Sequence, residues 1–123
     1  MKQEPPDFEI SFFEGLVEKD PNFVDALIPL ADEYTRRGLY EKGLEIDIRL
    51  AGLCQDDPIV YYNLACSYAL IGDLDKSIAS LQKSIRLGYS DFAHLKKDAD
   101  LKILQDDPRF VKLLTKAVRP KKK

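Results

Sequence analysis

The sequence predicts an all-α fold built from antiparallel helix hairpins, and three observations support this class. Apolar residues recur at steps of three and four along most of the chain, which is the spacing of one face of a helix. Three Asp-Pro pairs and three glycines stand where these runs begin and end. The chain also resembles itself when it is shifted by 34 residues, the length of one helix-turn-helix unit.

Five apolar stripes give the expected helices in chain order. They run over Phe8–Val17, Phe23–Tyr34, Tyr40–Ala51, Tyr61–Tyr68 and Leu74–Ile85. Aspartate caps the free N–H groups at a helix start, and a proline at the first helical position loses no hydrogen bond. We therefore expect helices to start at Asp20-Pro21, Asp57-Pro58 and Asp107-Pro108. Left-handed residues that close helices are expected at Gly38, Gly72 and Gly88.

Pro29 conflicts with a regular second helix. If that helix begins at Pro21, Pro29 lies in its interior, where a proline costs about 3 kcal/mol and kinks the helix. The helix either bends near residues 25–28 or begins later. We expect a kink, because Leu27, Leu30 and Tyr34 keep their spacing across the proline.

Composition places the chain among globular proteins. It has 123 residues, 45% of them hydrophobic and 33% charged, with a net charge of −2. One domain is expected at this length. The sequence has neither the basic face that nucleic acid binding requires nor a run of 18 apolar residues that would cross a membrane. We therefore expect neither nucleic acid nor membrane as a partner, and we interpret the basic tail 119–123 as a solvated end.

The cysteines and the N-terminus bear on the compartment. Cys54 and Cys66 form no CxxC motif and have no paired histidine, so neither a metal site nor a disulfide framework is expected. The first residues, MKQEPPDFE, lack the basic flank and apolar run of a secretory signal. These features favour a reducing, cytoplasmic location. No cofactor is expected.

The shift of 34 residues superimposes positions with clear roles in a hairpin. A small residue lets two helices approach closely, a tyrosine one turn later fills the gap beside it, and a glycine makes the turn. The matched pairs are Leu30 and Leu64, Ala31 and Ala65, Tyr34 and Tyr68, Gly38 and Gly72, Lys42 and Lys76, Leu44 and Ile78, and Leu53 and Leu87.

This pattern resembles the tetratricopeptide repeat (TPR) family. The family motif W-x2-L-G-x2-Y corresponds to Tyr61-x2-Leu64-Ala65-x2-Tyr68 and to Leu27-x2-Leu30-Ala31-x2-Tyr34. The motif A-x3-F is replaced by Gly43-x3-Asp47 and Ser77-x3-Leu81. The resemblance implies a short right-handed superhelix, with a half-repeat at 8–20, repeat 1 at 21–56 and repeat 2 at 57–89.

Residues 90–118 resemble a module that closes TPR arrays in bacterial proteins. Its Asp-x-Asp-Leu motif corresponds to Asp98–Leu101, and its Asp-Pro-Arg-Phe motif corresponds to Asp107–Phe110. The module is expected to cover the last apolar face with Phe92, Leu95, Leu101, Leu104, Phe110 and Leu113.

Cys66 is the candidate nucleophile. A catalytic thiol needs a base, and the single histidine, His94, has no evident pairing with Cys66 in the sequence. A small apolar residue on a helix is the more common role for such a cysteine. The acidic pairs 56–57 and 106–107 fit helix capping better than acid–base chemistry, and no phosphate, metalloprotease or calcium motif occurs. We expect a non-enzyme, with an enzyme using Cys66 as the less favoured alternative.

The resemblance implies instead a concave groove for a peptide or partner segment, lined by the first helices of successive hairpins. The implied groove residues are Asp25, Ile28, Asp32, Thr35 and Arg36, followed by Ile59, Tyr62, Asn63, Cys66, Ala69 and Leu70. Asn63 would hydrogen-bond a bound peptide or would simply face solvent. Asp25 and Asp32 favour basic or apolar ligands, and the Lys and Asn of the chaperone-tail clamp are absent. The expected function is a non-catalytic protein–protein interaction scaffold, and the alternative is a homodimer through the same face.

Overall fold

The computed structural model describes residues 8–118, and its side chains through Thr115. This part of the chain is all-α and repeat-like, without a strand, which confirms the predicted class. Its α-helices are α1 (Phe8–Lys19), α2 (Val24–Arg36), α3 (Tyr40–Leu53), α4 (Pro58–Leu70), α5 (Leu74–Arg86), α6 (Phe92–Lys97) and α7 (Pro108–Val118), with a 3-10 helix at Ala99–Leu104. The basic tail 119–123 lies outside the described residues. None of the described helices has the length and apolar content that would span a membrane.

The chain divides into two compact units between Gln55 and Asp56. This boundary lies one residue from the predicted limit between the repeats. In the first unit α2 packs against α1 and α3, and in the second α4 packs against α5 and the 3-10 helix.

The hairpins of the two units follow the predicted period. Helices α2 and α4 have bounds that differ by 34 residues at both ends, and so do the starts of α3 and α5. The Lys42 ammonium lies 5.5 Å from the centre of the Tyr34 ring, and Lys76 lies 5.8 Å from the centre of the Tyr68 ring. Two pairs that the shift relates therefore make the same cation–π contact.

The helix closures are those the glycines predict. Gly38, Gly72 and Gly88 have φ values of 80°, 89° and 118°, where a side chain would be strained. After α4, the Gly72 N–H donates to the Ala69 carbonyl at 3.0 Å and the Asp73 N–H donates to the Tyr68 carbonyl at 2.9 Å. These are the two hydrogen bonds of a Schellman closure.

Helix α2 starts later than the Asp-Pro signal predicts. Pro21 lies in a turn, where the Asp20 carboxylate accepts from the Asn22 N–H at 3.3 Å, and the helix begins at Val24. Pro29 is consequently the sixth residue of α2 and removes one hydrogen bond, the one to the Asp25 carbonyl. The other two signals are confirmed, because Pro58 and Pro108 each open a helix behind a capping aspartate.

The second unit has a continuous apolar core. Leu81 from α5 and Phe110 from α7 are fully buried, and so are Leu95, Leu101 and Leu104 from the segment between these helices. Phe92 and Leu113 pack against this cluster while partly exposed. The C-terminal segment is therefore an integral layer of the second unit.

Candidate functional site

The outward face of α2 is accessible within the first unit. Ile28 keeps 48% of its surface exposed although it is a large apolar residue. Asp25 and Asp32 lie three residues before it and four after it, so they share its face of the helix. The Asp32 side chain is 65% exposed and lies 3.7 Å from the Arg36 guanidinium, which also contacts Glu33. Four of the predicted groove residues thus form one open surface, which we call the α2 face (Asp25, Ile28, Asp32 and Arg36).

Thr35 departs from this surface. It is half-buried, and a Cβ added at Gly43 would lie 2.7 Å from its hydroxyl oxygen. Thr35 therefore faces α3 and packs where the missing side chain of Gly43 leaves room. The equivalent position in the second hairpin has the same close approach, because the Ser77 hydroxyl donates to the Ala65 carbonyl at 2.7 Å.

The predicted groove residues of α4 divide into two groups. Ile59 is 53% exposed, Asn63 is exposed and Leu70 is half-buried. Tyr62, Cys66 and Ala69 are only 5%, 7% and 3% exposed. The expectation that these three residues line an open groove is wrong, and so is a homodimer face that uses Tyr62.

The C-terminal segment buries this part of α4. The Tyr62 ring stacks on the Tyr89 ring with centres 4.5 Å apart and planes 11° apart. Its hydroxyl donates to Asp98 Oδ2 at 2.5 Å, and His94 Nε2 lies 3.2 Å from the same oxygen. Since Asp98 Oδ1 also accepts from the Asp100 N–H at 2.9 Å, this carboxylate caps the 3-10 helix and ties it to α4.

Cys66 lies at the edge of this network, where its thiol is 3.8 Å from Asp98 Oδ2. Burial raises the pKa of the thiol, and the charges of Asp98 and Asp100 raise it further. The thiolate that nucleophilic catalysis requires is therefore disfavoured. His94 contacts the carboxylate that holds the thiol protonated, which is the opposite of the arrangement that activates a cysteine.

The same residues contain a potential donor set for a metal. Single ligand atoms of Cys66, Asp98 and Asp100 lie within 4.8 Å of one another. Burial and the Asp98 charge raise the pKa of Asp100, so the three acidic groups oppose one another's ionisation. Asp98 Oδ2 already accepts from the Tyr62 hydroxyl, and every buried polar side-chain atom in the described part has a partner. The cluster is self-satisfied as a structural network.

Little in the sequence indicates this network. Asp98 and Asp100 are expected near a helix start, and the 3-10 helix at Ala99–Leu104 confirms that placement. Their contacts with α4 join positions more than 30 residues apart, which helical periodicity does not encode. The resemblance of residues 90–118 to a closing module is the one signal that could have indicated these contacts.

Comparison with known proteins adds a distant likeness. No protein-family model matches the chain. A chloroplastic protein of Arabidopsis thaliana is 27% identical over 85 residues, which cover 67% of this chain and 25% of that protein. The chain thus spans about a quarter of the length of this relative. An identity this low over such a share assigns no family and no activity.

Proposed function

We propose that the chain is a non-catalytic, TPR-like protein-interaction module whose partner binds the α2 face. The observation that carries this proposal is the exposure of Ile28 between two exposed carboxylates on one helix face. A half-exposed large apolar side chain is costly in water, and a partner that covers it gains roughly 1 kcal/mol from the area buried.

The charges of the α2 face specify the chemistry of the partner. Asp25 and Asp32 favour a segment that carries Lys or Arg around an apolar residue, because like charges would be repelled. Arg36 pairs with Asp32 through exposed side chains, and such pairs contribute little. A partner cation can therefore displace Arg36 from Asp32 at low cost.

The state of Cys66 supports a non-catalytic role. Its thiol is buried and held protonated by its surroundings. Both cysteines are free thiols, which also supports the proposal that the chain works in a reducing, cytoplasm-like compartment.

The test uses two isoleucines of equal exposure. Ile28 on α2 and Ile48 on α3 are each 48% exposed in the same unit, so Ile48→Asp is a matched control for Ile28→Asp. Each tagged variant is used to capture proteins from lysate of the source cells, and captured proteins are quantified by mass spectrometry. We expect one or more partners to bind wild type and Ile48→Asp and to be lost with Ile28→Asp. Equal capture by both variants, with unchanged far-ultraviolet circular dichroism, would refute the α2 face as the binding surface.

A further inference from the structure

The small net charge conceals an uneven distribution along the chain. Residues 1–55 carry six Lys and Arg against twelve Asp and Glu. Residues 92–123 carry ten Lys and Arg against four Asp and Glu. One protein thus contains an acidic first unit and a basic C-terminal part, and charges of opposite sign attract between copies as well as to other partners.

The acidic side of this pair has a defined surface in the first unit. Asp25 and Asp32 are seven residues apart on α2, so their positions differ by about 10 Å along the helix axis. Ile28 lies between them with about half of its surface exposed. The α2 face therefore offers two anionic points on either side of an apolar one.

The basic side is the C-terminal sequence Arg119-Pro120-Lys121-Lys122-Lys123, which we call the basic segment. Arg119 and Lys122 are three residues apart, and a bound extended chain covers about 10 Å over three residues. Pro120 stands between them and would supply an apolar contact for Ile28. The spacing of the cations thus matches the spacing of the two carboxylates.

We propose that the α2 face of one copy binds the basic segment of a second copy. The inference rests on the proposed function, because it uses the same surface, and it names a particular occupant. The two contacting surfaces differ, so the contact is head-to-tail and leaves a free face and a free segment at each end of a growing assembly. A contact of this size is well below the area of a stable interface, so the assembly is weak and salt-sensitive.

Sedimentation velocity on the full chain measures this self-association. At about 10 mM salt, where charges interact over about 30 Å, the average sedimentation coefficient should rise with protein concentration. At about 1 M salt, where the range is about 3 Å, the rise should disappear. Wild type that stays monomeric at low salt over the whole concentration range overturns the proposal.

Charge reversal identifies the two surfaces. Asp25→Lys/Asp32→Lys and Lys121→Glu/Lys122→Glu/Lys123→Glu should each abolish association, and an equimolar mixture of the two variants should restore it. Glu41→Lys/Glu45→Lys is the matched control, because both glutamates are exposed on α3 in the same unit. Loss of association in this control, or no recovery in the mixture, refutes the specific contact.

Two further measurements keep the result interpretable. If the lysine variant of α2 unfolds by circular dichroism, Asp25→Asn/Asp32→Asn replaces it, with the same loss of association expected. If self-association fails while Ile28→Asp still loses a captured partner, the inference is wrong and the proposed function stands. If both fail, the α2 face is not a binding surface.

Discussion

The hydrogen bond between Tyr62 and Asp98 should be a principal link between α4 and the C-terminal segment. Tyr62→Phe removes the hydroxyl that donates to Asp98 Oδ2 at 2.5 Å and keeps the ring that stacks on Tyr89. A hydrogen bond to a charged group contributes about 1.5–3 kcal/mol, and a carboxylate that loses its donor in a half-buried site adds a desolvation cost. We therefore expect the free energy of unfolding to fall by about 2 kcal/mol.

Urea denaturation followed by circular dichroism measures this loss, with Tyr68→Phe as the control. Tyr68 is half-buried on the same helix, and its ring, which the variant keeps, makes the contact with Lys76. We expect the control to change stability by less than about 0.5 kcal/mol. A Tyr62→Phe protein as stable as the control would refute the link. A double-mutant cycle with Asp98→Asn should give a coupling energy of about 1 kcal/mol or more.

Two further predictions concern a turn and the buried thiol. Gly72→Ala should lower the free energy of unfolding by about 1–2 kcal/mol, because φ is 89° there. Gly15→Ala should raise it by about 0.5–1 kcal/mol, because this helical glycine has open space around it, so urea midpoints that move in the same direction would contradict the argument. Maleimide should label Cys54 before Cys66, as peptide mass spectrometry can resolve. Because burial raises the pKa of Cys66, the stability that its thiol contributes is complete below the unfolded value of about 8.5 and declines as the pH rises above it. Fast labelling of Cys66 at neutral pH would show that the C-terminal segment does not cover it.

Local signals in the sequence predicted most of the helix ends. Asp57-Pro58 and the glycines worked because each acts through its own backbone conformation and its nearest hydrogen bonds. Asp20-Pro21 failed although its residue types are the same. There the aspartate caps a turn that precedes α2, and the helix begins behind Phe23 without a side-chain cap. The local preference of Asp-Pro for a helix start is weak enough for a turn to replace it.

The accessibility of the site could not be predicted in the same way. Ile28 and Tyr62 are related by the shift of 34 residues, and so are Asp32 and Cys66, so the repeat assigns each pair to the same face of its helix. Yet Ile28 is 48% exposed and Tyr62 only 5%. Periodicity determines which residues share a face, whereas the exposure of that face depends on the chain that packs against it.

The side chains themselves record this difference between the two helices. At the buried position the chain has a tyrosine, whose ring fills volume and whose hydroxyl reaches Asp98, and one turn later it has a small thiol. At the exposed position it has isoleucine, followed one turn later by an aspartate that is 65% exposed. A charged residue in the place of Cys66 would be buried against two carboxylates, which is costly unless the charge is paired. Polarity at the position shared by Asp32 and Cys66 therefore separates an open face from a covered one, and this criterion can be applied to the sequence alone. By the same criterion the α2 face is the surface in this chain that is suited to a partner, and α4 is suited to its own C-terminal segment.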